Sequence, residues 1–153
     1  MIYGDPFSFA LQFDVVETWT IPENTWKNGL FFFYLDGKKL FDCLDVCELR
    51  TTFGFYSCMR IDELISNDIH IDAVSLYRSA ESYFTGEGES LIDGLFDMTC
   101  TAMEDNGCYV YFMKSSQNDR FVWSIDNGET IHETLLQPGI VSSVVNKLSN
   151  AVL

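Results

Sequence analysis

Basic residues are scarce in this chain of 153 residues: nine Lys and Arg stand against 23 Asp and Glu, a formal charge of −14. A surface so poor in cations repels phosphate backbones, which argues against direct nucleic-acid binding. Long apolar runs are missing too. The longest, Leu30 to Leu35, falls far short of the ~20 residues that cross a bilayer. The opening Met1-Ile2-Tyr3-Gly4-Asp5-Pro6 holds no basic region ahead of an apolar stretch, so no export signal is expected, and the setting reads as cytoplasmic with no membrane partner. Pro is rare and Gly is scattered, with no linker-like stretch and no internal repeat, so residues 1–153 read as a single domain.

Chemistry-bearing patterns are equally thin. CxxC, HExxH, the P-loop, GxSxG and GxGxxG are absent. Cys43, Cys47, Cys58, Cys100 and Cys108 are an odd number, as expected of reduced and mostly buried thiols. The two histidines, His70 and His132, have no nucleophile or acid at a recognisable spacing. Neighbouring carboxylates occur at Asp62-Glu63 and Glu104-Asp105, which keeps a carboxylate-based hydrolase as an alternative. The expectation is a protein with no catalytic residues, no metal site and no cofactor.

What is present is aromatic and acidic. Thirteen Phe and seven Tyr suit a β-rich core. Phe9 to Trp19 alternates with period two, and Leu30 to Leu35 is apolar on both faces, as in a central strand. Ile21 to Gly29 reads as a loop closed by an Asn28-Gly29 turn, and Asp36-Gly37 marks a hairpin. A further strand is expected over Cys47 to Met59. Asp72 suits the cap of a helix running to about Phe84, with Ala73, Leu76, Tyr77, Ala80, Tyr83 and Phe84 on its apolar stripe. Strands then follow at Asp97 to Met103, Cys108 to Met113, Arg120 to Ile125 and Thr130 to Leu136. Turns at Asn106-Gly107 and Asn127-Gly128 join them as an antiparallel meander. Pro138 suits the first turn of a last helix whose stripe is Ile140, Val141, Val144, Val145, Leu148 and Val152. The fold class is α+β, a largely antiparallel multi-stranded sheet packed on two main helices at about residues 72–84 and 138–152.

The negative charge is unevenly spread. From Ser79 to Met113 there is no Lys or Arg, yet Glu81, Glu87, Glu89, Asp93, Asp97, Glu104 and Asp105 fall there. Asp42, Asp45 and Glu48 form a second cluster. The candidate partner-binding residues are Glu81, Glu87, Glu89, Asp93, Asp97, Asp42, Asp45 and Glu48, since an acidic field attracts a basic protein. A charge of −14 favours a monomer unless an apolar patch overcomes the repulsion.

Gly4-Asp5-Pro6, Phe9-Ala10, Phe13-Asp14, Trp19, Trp26-x-Asn28-Gly29-Leu30-Phe31 and Leu35-Asp36-Gly37 together resemble a bacterial immunity-protein family of polymorphic-toxin and contact-dependent growth-inhibition systems. Gln137-Pro138-Gly139 and Trp123-Ser124-x-Asp126 extend the likeness weakly. The resemblance implies a cytoplasmic inhibitor without catalysis that binds the C-terminal domain of a cognate toxin, often a nuclease. The alternative is an acidic adaptor for an endogenous protein.

Overall fold

The computed structural model describes residues 1–23, 25–42 and 46–153. In chain order its elements are β1 (Ile2–Gly4), β2 (Phe9–Val15), β3 (Asn28–Leu35), β4 (Lys38–Asp42), β5 (Cys47–Glu48), α1 (Leu49–Ser57), α2 (Ala73–Phe84), β6 (Leu95–Asp97), α3 (Thr101–Glu104), β7 (Tyr109–Lys114), β8 (Asp119–Ser124), β9 (His132–Leu136) and α4 (Ile140–Ser149). The α+β class holds, with two corrections to the architecture: the strands form two antiparallel sheets, and the described helices are four. The first sheet runs β1-β2-β3-β4 with β5 also on β3; the second is the meander β6-β7-β8-β9.

Turn chemistry explains the hairpins. Asp36 and Gly37 both take positive φ, as do Asn127 and Gly128. At Asp36-Gly37, which alone separate Leu35 from Lys38, two successive left-handed residues match the twist of the flanking strands, whereas Asn127-Gly128 turn the chain within the longer loop between β8 and β9. Gly4 serves a different purpose: a Cβ there would overlap the Phe9 carbonyl and Val144 of α4, so β1 lies against that helix only without a side chain.

Phe9, Leu11 and Phe13 of β2, with Phe31, Phe33 and Leu35 of β3, point inward and are buried. They meet Val110, Phe112, Phe121 and Trp123 of the second sheet in one core, closed at the side by α1 and α4. Phe9 touches both Phe33 and Phe121, at 5.4 and 5.7 Å between ring centroids. The second sheet has another core on its far side, where Tyr111, Met113 and Val122 pack on Leu76, Tyr77 and Ala80 of α2. It is therefore covered on both faces.

Several sequence expectations are displaced. Cys47 to Met59 is mostly helix: Leu49, Thr52, Phe53 and Tyr56 recur at helical spacing and are buried, while the carboxylate of Glu48 caps the start by accepting from the Arg50 and Thr51 amides. Asp97 to Met103 is a strand only through Asp97; Thr101–Glu104 forms the short α3, and Gly107 ends that helical turn instead of closing a hairpin. Asn28 and Gly29 open β3, paired to β2 and β5, and do not form a turn. The Phe9 strand ends at Val15, followed by a single tight turn at Glu17–Trp19. Pro138 precedes the Gly139 cap of α4, and Val152 lies beyond the helix, exposed. Its start is capped from elsewhere: the buried carboxylate of Asp119 accepts the amides of Gly139 at 3.2 Å and Val141 at 2.9 Å. Among the described residues no helix is long and apolar enough to cross a membrane.

Candidate functional site

The acidic residues divide into those that the fold gathers and those that it spends. Glu81 lies on α2, Asp97 at the end of β6, and Glu104 and Asp105 at the end of α3. All four act on the phenol of Tyr109 on β7, whose pKa is pushed up by burial first and then by Glu104, Glu81, Asp97 and Asp105. Asp97 is itself raised, chiefly by burial and additionally by Glu104, while the Thr99 amide donates to it at 2.9 Å. Arg78 pairs with Glu81 at 2.7 Å and supplies a cation at this rim. The result is a half-buried tyrosine within electrostatic reach of four carboxylates.

Glu87, Glu89 and Asp93 stand exposed in the segment after α2. Asn67 donates its side-chain amide to the Asp93 carbonyl oxygen at 2.8 Å, tying that segment to residues 65–69. Glu48 is engaged: besides Arg50 and Thr51 it accepts the Lys27 amide at 3.2 Å, and against burial, which raises it, these bonds hold its pKa below the usual range. Asp42 ends β4, opposite Phe32 in the register. Asp45 lies outside the described residues, as does Cys43. The fold thus unites Glu81 and Asp97 of the expected site and adds Glu104, Asp105 and Tyr109. Their spacing in sequence carried no signal for that meeting.

The remaining chemistry is dispersed. His132 stacks on Trp123 at 4.3 Å, and His70 is exposed before α2. Burial pushes Cys100 up to about 11 and Cys108 up to about 12, so both stay thiols at neutral pH. Among the described residues no three His, Cys, Asp or Glu side chains converge as metal ligands. A groove of about 480 Å³ lies between residues 67–71 and the second sheet, but its Arg120 already donates to Glu133 and the Ile71 carbonyl.

A second surface went unnoticed in the sequence. The outward residues of β2 and β3 include Gln12, Asp14, Leu30, Phe32 and Tyr34, all only half-buried, with the small Ala10 fully buried opposite Tyr34. The helices α1 and α4 pack on the opposite, inner side of this sheet. Tyr34 donates to Gln12 at 3.0 Å, Gln12 donates to Asp14 at 2.6 Å, and the Lys39 ammonium lies 5.1 Å from the Phe32 ring centre.

Comparison with known proteins adds three findings. A family model described as "Immunity protein 42" matches residues 1–151. The crystal structure of CdiI from Burkholderia dolosa AUO158 superposes with a TM-score of 0.72 at 20% identity, covering 99% of this chain and 100% of that one. At that identity the likeness is one of fold. A comparison with curated proteins yields no match.

Proposed function

The chain belongs to the immunity protein 42 family, so it binds and neutralises a toxin, and we propose that it does so without catalysis, in the cytoplasm, by laying its acidic face over a basic surface of the toxin's C-terminal domain. The observation that carries this reading is the segment from Ser79 to Met113 with seven acids and no Lys or Arg, of which Glu81, Asp97, Glu104 and Asp105 lie within electrostatic reach of Tyr109. Glu87, Glu89 and Asp93 extend the same acidic segment. Carboxylates near a half-buried tyrosine suit an arginine or lysine side chain, which the aromatic ring and the acids attract together. Toxins that cleave nucleic acid keep a basic cleft for phosphate, and a nuclease is the toxin class that this face fits. Opposite fields also hasten encounter, so the complex forms fast at low salt.

The test is charge reversal at exposed positions, which leaves the core alone. The toxin domain encoded beside this gene is the partner. Glu104→Lys with Asp105→Lys is expected to slow association by about tenfold or more at low salt and to flatten its salt dependence. Glu87→Lys with Glu89→Lys and Asp93→Lys should act in the same direction. Unchanged binding kinetics in both folded variants would remove this face from the interface.

A further inference from the structure

We propose that Arg78 is a positioning residue for toxin recognition, a role that rests on the acidic face being the side that meets the toxin: it fixes α2, with Glu81, against the turn after α3, with Glu104 and Asp105. By charge alone Arg78 is out of place, because a cation at the rim of an acidic face weakens the field that draws a basic partner. Its ion pair with Glu81 does not account for it either, since half-exposed pairs at i, i+3 contribute little. What sets Arg78 apart is that its planar fork makes two bonds at once. One nitrogen donates to the Glu81 carboxylate at 2.7 Å, and another to the Gly128 carbonyl oxygen at 2.8 Å, 50 residues away in sequence. The guanidinium carbon lies over the Tyr77 ring, 5.6 Å from its centre.

The loop after β8 carries this connection onward. The Ser124 hydroxyl donates to Asp126 at 2.7 Å and accepts the Gly128 amide at 2.9 Å, while Asp126 also accepts the Thr130 amide at 2.8 Å. Within that closed turn Gly128 has positive φ, and a Cβ there would come within 3.0 Å of the Arg78 guanidinium and 3.2 Å of the Tyr77 ring. Asn127 donates its amide to the Gly107 carbonyl oxygen at 3.0 Å, and Gly107 donates its own to the carbonyl oxygen of Glu104, also at 3.0 Å. A path of bonds thus runs from Glu81 through Arg78, Gly128, Asn127 and Gly107 to Glu104, across α2, the β8–β9 loop and the turn after α3. Carboxylates held at a fixed separation lose less freedom when a partner's cations seat on them. Such a gain slows dissociation, whereas added charge speeds encounter.

Binding kinetics with the toxin domain encoded beside this gene, measured on folded variants in low and in high salt, separate position from charge. Arg78→Gln makes the protein one unit more negative, so a role through charge alone gives faster association and no faster dissociation. Positioning gives dissociation about tenfold faster in both salts, with association unchanged or slightly faster. Arg78→Lys keeps the charge but not the two-pronged hold, and should recover only part of the loss. Arg78→Gln and Glu104→Gln should be non-additive in dissociation yet additive in thermal unfolding, a pattern that a purely structural role does not produce. Wild-type dissociation by Arg78→Gln overturns the proposal, whatever its thermal midpoint, as does wild-type dissociation by Arg78→Lys. Should Arg78→Gln fail to fold, Arg78→Lys decides by the same readout. If Glu104→Lys with Asp105→Lys binds as wild type, the acidic face is not the interface and the role of Arg78 falls with it. If that variant binds weakly while Arg78→Gln dissociates at the wild-type rate, only the role of Arg78 is refuted.

Discussion

Strands β3 and β7 are both rich in aromatics, yet β7 lies between two packed layers and β3 lies beneath one. On β7, Val110, Tyr111, Phe112 and Met113 are all buried, alternating between the α2 side and the central core. On β3, Phe31, Phe33 and Leu35 are buried, while Leu30, Phe32 and Tyr34 are only half so. Continuous apolar character in a strand ordinarily signals a sheet covered on both faces. In β7 it does; in β3 the same pattern marks an uncovered aromatic surface on a molecule otherwise dominated by negative charge. Apolar residues on a strand thus report that a face prefers cover, not that the fold supplies it.

Neighbouring alanine substitutions sharpen this contrast most. Tyr111→Ala and Phe112→Ala are each expected to cost about 3–5 kcal/mol in denaturant unfolding, because both faces of β7 lose packed rings. On β3, Phe33→Ala should cost as much and Phe32→Ala only about 1 kcal/mol. Equal losses at Phe32 and Phe33 would mean that both sheets are equally covered.

A smaller effect is expected at the junction of the second sheet with α4. Asp119→Ala removes the buried carboxylate that accepts the Gly139 and Val141 amides, with an expected loss of about 2–3 kcal/mol. Asp119→Asn keeps one acceptor and should recover part of that loss. If Asp119→Ala unfolds at the wild-type denaturant midpoint, α4 holds its place by its apolar face alone.

The smallest effect has the opposite sign. Burial raises the pKa of Asp97 above the usual carboxylate value, so its ionised form is less stable folded than unfolded. That penalty is present above the folded pKa, falls away as pH drops through it, and is absent below the unfolded value. Asp97→Asn should therefore raise the thermal midpoint by a degree or two at pH 7, with the gain vanishing by about pH 3. Weaker toxin binding by the same variant would mark Asp97 as a residue that trades stability for recognition. A midpoint unchanged at pH 7 would place its charge in ordinary solvent.

Much of the fold was legible, and the misses have identifiable causes. The period-two pattern of β2, the cap at Asp72 and the turns at Asp36-Gly37 and Asn127-Gly128 are encoded within a few residues each, so they were readable. Helix α1 was read as a strand because its helical stripe includes Thr52, a residue with little apolar weight, whereas Leu49, Phe53 and Phe55 also fit an alternating count. Helix α3 covers four residues, too few to show a helical period. Of the candidate site, the acidic bias and the choice of Glu81 and Asp97 as candidates came from composition and local sequence. The electrostatic reach of four acids to Tyr109 did not, since it joins α2, β6, α3 and β7.

The order of chain residues by itself determined the α+β class, the strand β2, the cap of α2, the turns at Asp36-Gly37 and Asn127-Gly128, the acidity and the absence of known catalytic motifs, because each is a property of local pattern or of sums over the chain. Only the tertiary structure decided that the strands divide into two sheets, that Asp119 caps a helix through amides 20 and 22 residues away, and that one aromatic face stays open. Those are outcomes of layering: which surfaces meet depends on contacts between distant segments, and local periodicity carries no record of which partner a face will find.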